Sequence, residues 1–184
     1  MAKVLVVYHS GYGHTQRLAQ AVALGADAEL LAIDADGQLP EGGWEALREA
    51  DAIVMGAPTY MGNVSWQFKR FADASSKAWY TQAWKDKLFA GFTNSANLNG
   101  DKQSTLDYLF TLAMQHGGLW VGNGVNFHNT KASKRCDANY LGAHAGVMGQ
   151  TPADAGAHEM SEGDLESARL LGERVAALAA KFKG

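Results

Sequence analysis

Short apolar runs alternate along the chain with stretches in which apolar residues recur at helical spacing. Short runs rich in β-branched residues are typical of strands that are buried on both faces of a sheet. Five such segments occur, at residues 4–8, 29–33, 52–56, 88–92 and 119–121. Segments of helical character follow them, near residues 14–25, 44–50, 64–71, 106–117 and 165–182. This order predicts an α/β fold with a doubly wound parallel sheet and helices on both faces.

The ends of two helices carry recognisable signals. Gly25 is interpreted as the stop of the first helix, because glycine tolerates the left-handed conformation that ends many helices. Residues 161–164 resemble a capping box and predict the start of the last helix. Residues 122–160 are rich in Gly, Asn and Ala and lack clear periodicity. No linker interrupts the pattern, so one domain spanning residues 1–184 is predicted.

The loop after the first predicted strand is suited to an anion. It enters a helix, whose first N–H groups are unpaired and carry partial positive charge. Ser10 and Thr15 add hydroxyl donors, and Gly11 and Gly13 allow tight folding around a ligand. Neither a nucleoside-triphosphate loop nor a complete dinucleotide fingerprint is present. A plain strand–helix turn that needs glycine and a serine cap stays open as the alternative.

Two more polar loops follow the third and fourth predicted strands, at residues 58–63 and 94–100. With these loops in place, the sequence resembles the WrbA-type NAD(P)H:quinone oxidoreductases of the flavodoxin-like superfamily. The matching motifs keep the family's order over nearly the whole chain. They are S-x-Y-G-H at 10–14, P-T-x-x-G-N at 58–63, the loop 94–100, His-Gly at 116–117 and Gly-Ala at 142–143.

The resemblance implies a flavodoxin-like sheet with five strands in the order 2-1-3-4-5 and a bound FMN. It assigns the FMN phosphate to the first loop, the isoalloxazine ring to the second, and the pyrimidine side and ribityl chain to the third. The implied cofactor residues are Ser10, Tyr12, Gly13, His14 and Thr15; Pro58, Thr59, Tyr60, Met61 and Gly62; and Asn94, Ser95, Ala96 and Asn97.

Two further residues enter through the resemblance. His116 is expected near the ring, where it is the candidate for contacting or protonating a quinone oxygen. A histidine that only complements a helix C-terminus is the alternative. Trp79 is expected to line the pocket, from its own chain or from a neighbouring subunit, and a core or interface filler is its alternative role.

The sequence departs from the family pattern at three loops. The loop after the second strand is shorter, which affects the expected tetramer. The loop after the fourth strand has lost several glycines, and Tyr60-Met61 replaces a basic–aromatic pair. The last two differences affect acceptor choice and nicotinamide docking.

Composition narrows the partners. The 184 residues are 47% hydrophobic with a net charge of −3, so nucleic acid is not expected as a partner. Cys136 is the only cysteine, which excludes an intrachain disulfide and fits a cytoplasmic protein. The first apolar run is too short for a signal peptide or a membrane span. The six histidines are scattered without ligand spacing, so no metal site is predicted.

The predicted function is reduction of quinones by two electrons from NADH or NADPH, with FMN as cofactor and ping-pong kinetics. A one-electron flavodoxin-type carrier is the main alternative, although such carriers commonly dock through an acidic face and −3 is a small charge. An apo scaffold or regulator is a third. The aromatic stretch at 78–84 further predicts a homo-oligomer, a dimer or a tetramer.

Overall fold

The computed structural model describes residues 2–126 and 128–183; the ends of the predicted domain, residues 1 and 184, lie outside the described part. The strands are β1 (Val4–His9), β2 (Glu29–Ile33), β3 (Ala52–Tyr60), β4 (Asn63–Val64), β5 (Leu88–Ser95), β6 (Leu119–Trp120) and β7 (Val147–Gln150). The helices are α1 (His14–Ala26), α2 (Gly43–Glu49), α3 (Trp66–Ala74), α4 (Ser76–Tyr80), α5 (Lys102–Gln115) and α6 (Glu162–Lys183), with a 3₁₀ turn at Ala157–Glu159.

The sheet has the predicted order, with one modification. Its path is β2-β1-β3-β5-β6, and all of these neighbours are parallel. The fifth position is shared by two short strands, because β6 pairs with the start of β5 and β7 pairs with its end. The predicted fifth strand at 119–121 is therefore only the first half of that position. Of the residues that separate the halves, the described ones, 121–126 and 128–146, lie outside the regular sheet.

Both faces of the sheet are buried, as the apolar runs predicted. In β1, Val4, Val6 and Tyr8 pack towards α1 and α6, while Leu5 and Val7 pack towards the layer of α2, α3 and α5. Such alternation into two cores is required of a central parallel strand. Each buried Val or Leu side chain contributes on the order of 1.5–3 kcal/mol.

Helices α1 and α6 approach each other at two glycines. A Cβ atom on Gly25 would stand 2.0 Å from the Arg169 carbonyl oxygen, and one on Gly172 would stand 2.1 Å from the Val22 carbonyl oxygen. The interpretation of Gly25 as a helix stop was wrong, because α1 continues past it to Ala26 and is capped by Asp27, which lies in the left-handed region with φ 49°. Gly25 serves close helix packing instead.

Two strands run further than predicted towards their carboxyl ends. β5 reaches Ser95, and β3 reaches Tyr60 before reversing through Met61 and Gly62 into β4. Both turn residues have positive φ, 47° and 77°, as a two-residue type I′ turn requires. The segment predicted as a loop at 58–63 is thus the end of β3, a hairpin turn and the first residue of β4. Within the described ranges, no helix is both long and apolar enough to cross a membrane.

Candidate functional site

A cavity of about 420 Å³ opens at the carboxyl ends of β1, β3 and β5. This is the edge at which doubly wound sheets bind their ligands. Four separate segments of the chain contribute to its wall. The lining residues are Ser10, Gly11, Tyr12, His14 and Thr15; Pro58, Thr59 and Tyr60; Asn94, Ser95 and Ala96; and Thr151 and Ala153. The structure therefore brings together most of the residues that the three motif loops predicted.

The N-terminus of α1 faces this cavity without a cap of its own. Gly13 precedes the helix with φ 88°, and its N–H donates to Ser10 Oγ over 3.1 Å. The first helical bond is donated by Arg17, so the N–H groups of residues 14–16 donate to no other residue in the described chain. The first turn carries no acidic side chain that could occupy this positive end. The loop therefore offers several free donors to an anion.

Two tyrosines form the mouth of the cavity. The Tyr60 hydroxyl lies 2.6 Å from the point where a Cβ on Gly11 would stand, so the glycine makes room for it. The Tyr12 and Tyr60 rings meet edge to face at 6.4 Å, and 80% of Tyr12 is exposed. Burial, together with the neighbouring Tyr12, raises the pKa of Tyr60, so its phenol stays protonated. The mouth is aromatic and uncharged.

A cluster of three buried threonines holds the strand ends beneath the mouth. Thr59 Oγ1 lies 2.8 Å from Thr93 Oγ1 and 2.8 Å from Thr105 Oγ1. The cluster joins β3, β5 and α5 where the two strands enter the site. The Thr59 hydroxyl thereby fixes the position of the strand end that walls the cavity.

The wall formed by the end of β5 depends on a residue that the sequence analysis did not single out. Lys102, the first residue of α5, is fully buried. Its Nζ donates to Ser95 Oγ at 3.0 Å, to the Asn97 carbonyl at 2.6 Å and to the Leu98 carbonyl at 2.8 Å. Lysine is ordinarily exposed, so three acceptors around a buried ammonium mark a constructed feature of the loop.

The fourth segment of the cavity wall is the one that follows β7, and the sequence analysis did not identify it either. Thr151 and Ala153 line the cavity, and Thr151 Oγ1 approaches Asn94 Oδ1 at 3.4 Å. His14 Nε2 lies 2.8 Å from the Ala155 carbonyl oxygen, which ties the first loop to this segment. His14 therefore closes the cavity through its ring, in addition to its position at the helix N-terminus.

Four predicted cofactor residues neighbour the cavity without lining it. Gly13 sets the turn into α1, Met61 and Gly62 form the exposed hairpin tip, and Asn97 turns its carbonyl to Lys102. Their roles are conformational in the described chain. Met61 is fully exposed beside the mouth, where it adds apolar surface.

His116 and Trp79 lie elsewhere. His116 follows α5 near the amino end of β6, roughly 20 Å along the sheet from the cavity. It is 2% exposed, and its Nε2 lies 2.9 Å from Ser75 Oγ. His116 was expected near the ring, but it does not line the cavity of its own chain. Trp79 borders a separate surface depression beside His116, so both could meet a cavity ligand only in another copy of the chain.

Burial also changes the chemistry expected of His116. It lowers the pKa of the imidazole to about 4, so the ring is neutral at pH 7. A neutral ring neither delivers a proton as imidazolium nor complements a helix dipole by charge. At pH 7 the lowered pKa therefore argues against proton delivery as imidazolium and against a charge at the helix end, whereas contact with a quinone oxygen needs no charge.

Comparison with known proteins agrees with this geometry. Residues 3–132 match the family of NADPH-dependent FMN reductases. The chain belongs to this family. The fold is flavodoxin-like, and a crystal structure described as a flavodoxin, WrbA-like protein from Agrobacterium tumefaciens superimposes with a TM-score of 0.80 and 55% identity, over 98% of this chain and 99% of that one.

Relatives of this family member carry two kinds of name. A flavodoxin, FldP, from Pseudomonas aeruginosa (strain UCBPP-PA14) is 56% identical over 96% of each chain. An NAD(P)H dehydrogenase (quinone) from Sinorhizobium fredii is 33% identical over 99% of each chain. The WrbA-type resemblance noted in the sequence is thereby confirmed, and it covers the length of the family member.

Proposed function

We propose that this family member is an FMN-dependent oxidoreductase that transfers two electrons from NADH or NADPH to quinones. The observation that carries the proposal is the mouth of the cavity. It is aromatic and open, and none of the described lining residues is an Asp, Glu, Lys or Arg. Such a surface suits a planar, uncharged acceptor that stacks on rings.

The cavity residues fit FMN. The free N–H groups at the start of α1, with the Ser10 and Thr15 hydroxyls, suit one terminal phosphate. Gly11 gives Tyr60 room beside that loop, where a planar ring could lie against it. The loop after β1 carries no complete dinucleotide fingerprint that would hold a pyrophosphate, which favours FMN over FAD.

Bound FMN would supply the hydride chemistry, since flavins accept and return electron pairs. The chain itself would bind and orient the cofactor. The α1 N-terminus anchors the phosphate, and the ends of β3 and β5, locked by the threonine cluster, hold the walls at a fixed separation. Unpaired N–H groups of the loop after β5 can stabilise negative charge on a reduced ligand. The open mouth admits donor and acceptor in turn and leaves protons to be exchanged with water.

An electron carrier is the second candidate, and one observation favours it. The relative at 56% identity is named a flavodoxin. Against it stands the uncharged mouth, because a carrier that docks to protein partners commonly presents carboxylates there.

A spectrum and two additions separate the candidates. The purified protein is expected to show flavin absorbance, and denaturation should release FMN. Under anaerobic conditions NADH or NADPH should bleach the flavin, and a benzoquinone should restore it at a rate that supports many turnovers. Reduction by neither nicotinamide, together with a one-electron state that persists during photoreduction, would favour the carrier. A protein that stays colourless with added FMN would refute both.

The phosphate site is tested by removing one hydroxyl. Thr15→Ala and Ser10→Ala should each weaken FMN binding tenfold to hundredfold, because a hydrogen bond to a charged group contributes roughly 1.5–3 kcal/mol. Riboflavin, which lacks the phosphate, should bind these variants and the wild type equally. Thr111→Ala removes an exposed hydroxyl on α5 and serves as the control. Unchanged FMN affinity in both loop variants would mean that the loop is only a turn.

A further inference from the structure

Lys102 is the described lysine whose surroundings are least usual for its type. It is 0% exposed and all three of its bonds go to the loop that walls the cavity. A buried ammonium is costly unless it is fully hydrogen-bonded, and here three acceptors meet its three donors. The loop therefore folds around the charge.

The lysine also determines which groups the loop presents outward. The carbonyls of Asn97 and Leu98 point at Nζ. In a trans peptide the N–H of the next residue points opposite to the carbonyl, so the N–H groups of Leu98 and Asn99 point away from the lysine. Within the described ranges, the amides of residues 96–100 donate to no other residue. The carbonyl acceptors of this loop thus point towards Lys102, and its N–H donors are left for a ligand.

The charge of Lys102 is not cancelled by the ionised groups around it. Asp164 on α6 faces it, but this carboxylate forms a two-pronged ion pair with Arg135 and also accepts from the Gln150 N–H. Burial lowers the pKa of Lys102 to about 8; Asp164 opposes that shift and Arg135 adds to it. At pH 7 the three charges leave one net positive charge behind the wall.

That charge lies close to the ligand. Ser95 lines the cavity and accepts from Nζ at 3.0 Å. A ligand atom in contact with Ser95 Oγ would lie about 6 Å from the ammonium. At this distance, and through protein instead of water, a full charge acts measurably on a ligand that changes charge.

We propose that Lys102 is a positioning residue for the cofactor: its ammonium holds residues 95–98 in the shape that receives the flavin ring, and its charge favours the two-electron-reduced, anionic ring over the oxidised, neutral one. This inference rests on the proposed function, because it requires FMN in the cavity. Two electrons and one proton convert the neutral ring to the anion, and dithionite supplies the electrons in the test below.

The experiment compares Lys102→Met with Lys87→Met. Lys87 is a matched control, since its half-buried Nζ donates to the carbonyls of Arg48 (2.9 Å) and Ala50 at the opposite end of the sheet. Apo-protein is titrated with FMN and with riboflavin. Lys102→Met should weaken both ligands by the same factor, at least tenfold, because the loop contacts the ring and not the phosphate. Lys87→Met should bind both like the wild type.

Redox and pH readouts test the charge separately from the shape. Lys102→Met should lose affinity for dithionite-reduced FMN more than for oxidised FMN. A further tenfold loss corresponds to a midpoint potential about 30 mV lower. In the wild type, preference for the reduced form should decline between pH 7 and pH 9 as Lys102 loses its proton, and Lys102→Met should lack this change. The wild-type profile remains informative if the variant does not fold.

The outcomes distinguish the two proposals. If the wild type binds neither FMN nor riboflavin, the proposed function fails. If the wild type binds FMN but Lys102→Met and Lys87→Met behave alike, the role of Lys102 is refuted. The charge effect would be overturned if Lys102→Met lost the same factor of affinity for oxidised and reduced FMN and the wild-type preference for the reduced form did not change with pH.

Discussion

Acid should destabilise this fold through His116. Ser75 Oγ donates to the Ala72 carbonyl at 2.6 Å, so its contact with the imidazole requires that Nε2 of His116 carries the ring proton. The other nitrogen, Nδ1, is buried and has no hydrogen-bond partner among the described residues. The ring centroid lies 4.3 Å from that of Trp84. A second proton would therefore place an unpaired N–H and a charge in an aromatic environment.

The magnitude follows from the two states of the imidazole. Its pKa is lowered by burial to about 4 in the folded chain, whereas an unfolded chain has a value near 6.5. Between these values the unfolded state binds more protons, so stability falls as pH falls. From pH 7 to pH 4.5 this one group should remove about 2–3 kcal/mol from the free energy of unfolding, a large share of a typical 5–15 kcal/mol.

Urea denaturation of the apo-protein at pH 7 and pH 4.5 measures the effect. His116→Gln keeps an N–H donor for Ser75 and cannot titrate, so its stability should decline less over this interval, by about 2–3 kcal/mol. The pKa of His9 is also lowered by burial, but its contribution is common to both proteins and cancels in the difference. Equal pH dependence in wild type and variant would refute the assigned tautomer and the cost of charging the ring.

Three other outcomes are expected. Gly172→Ala should destabilise the chain by about 1–3 kcal/mol in urea denaturation, because its Cβ would overlap the Val22 carbonyl at 2.1 Å; an unchanged midpoint would show that α1 and α6 separate freely. Asp164→Asn should lower the free energy of unfolding by roughly 2–3 kcal/mol. This is less than the loss of a fully buried ion pair costs, because the Arg135 side chain is 30% exposed. An unchanged free energy of unfolding would mean that the ion pair does not stabilise the fold. Light scattering at micromolar concentration should show a dimer or larger assembly, because Trp79 is 46% exposed in an aromatic stretch; a monomer would reject this.

Sequence periodicity was sufficient for the sheet order but not for the strand ends. Buried parallel strands are continuous apolar runs, so β1, β3 and β5 were recognised from local composition. Their last residues are polar or turn-forming, as at Pro58 and Asn94, and were assigned to loops. Both lie in strands through pairing with distant segments: Pro58 and Asn94 pair with each other, β4 pairs with the last two residues of β3, and β7 pairs with the end of β5. Such pairing is not encoded in the local pattern.

The fifth strand position illustrates the same point over a longer range. Its halves are separated by residues 121–146, and the second half is four residues that include a glycine. Nothing in Val147–Gln150 alone distinguishes a strand from a loop. Because the cavity residues Thr151 and Ala153 depend on that strand for their position, they were missed with it.

Two side chains behaved contrary to their usual tendencies. Lys102 is buried, and the sequence contains one indication of this. Lys102 precedes Thr105, Leu106 and Leu109 by three, four and seven residues, a spacing that puts all four on the buried face of α5. His116 was placed at the ligand by the resemblance alone. Its position follows from helix direction, because α5 runs antiparallel to the strands and must end at the amino edge of the sheet.

In the proposed function the site binds an anion and a redox-active ring, yet none of its described lining residues is a Lys, Arg, Asp or Glu. Positive potential comes instead from the free N–H groups at the start of α1 and from the ammonium of Lys102 behind the wall. Placing charge in the surrounding shell leaves the mouth to Tyr12, Tyr60 and Met61, whose surfaces are apolar. An uncharged mouth exerts no strong electrostatic force on a neutral quinone. The charges in the surrounding shell would still stabilise the negative charge that reduction creates on the bound ring. This division between a charged shell and a neutral mouth is the physical reason for preferring a small-molecule acceptor over a protein partner.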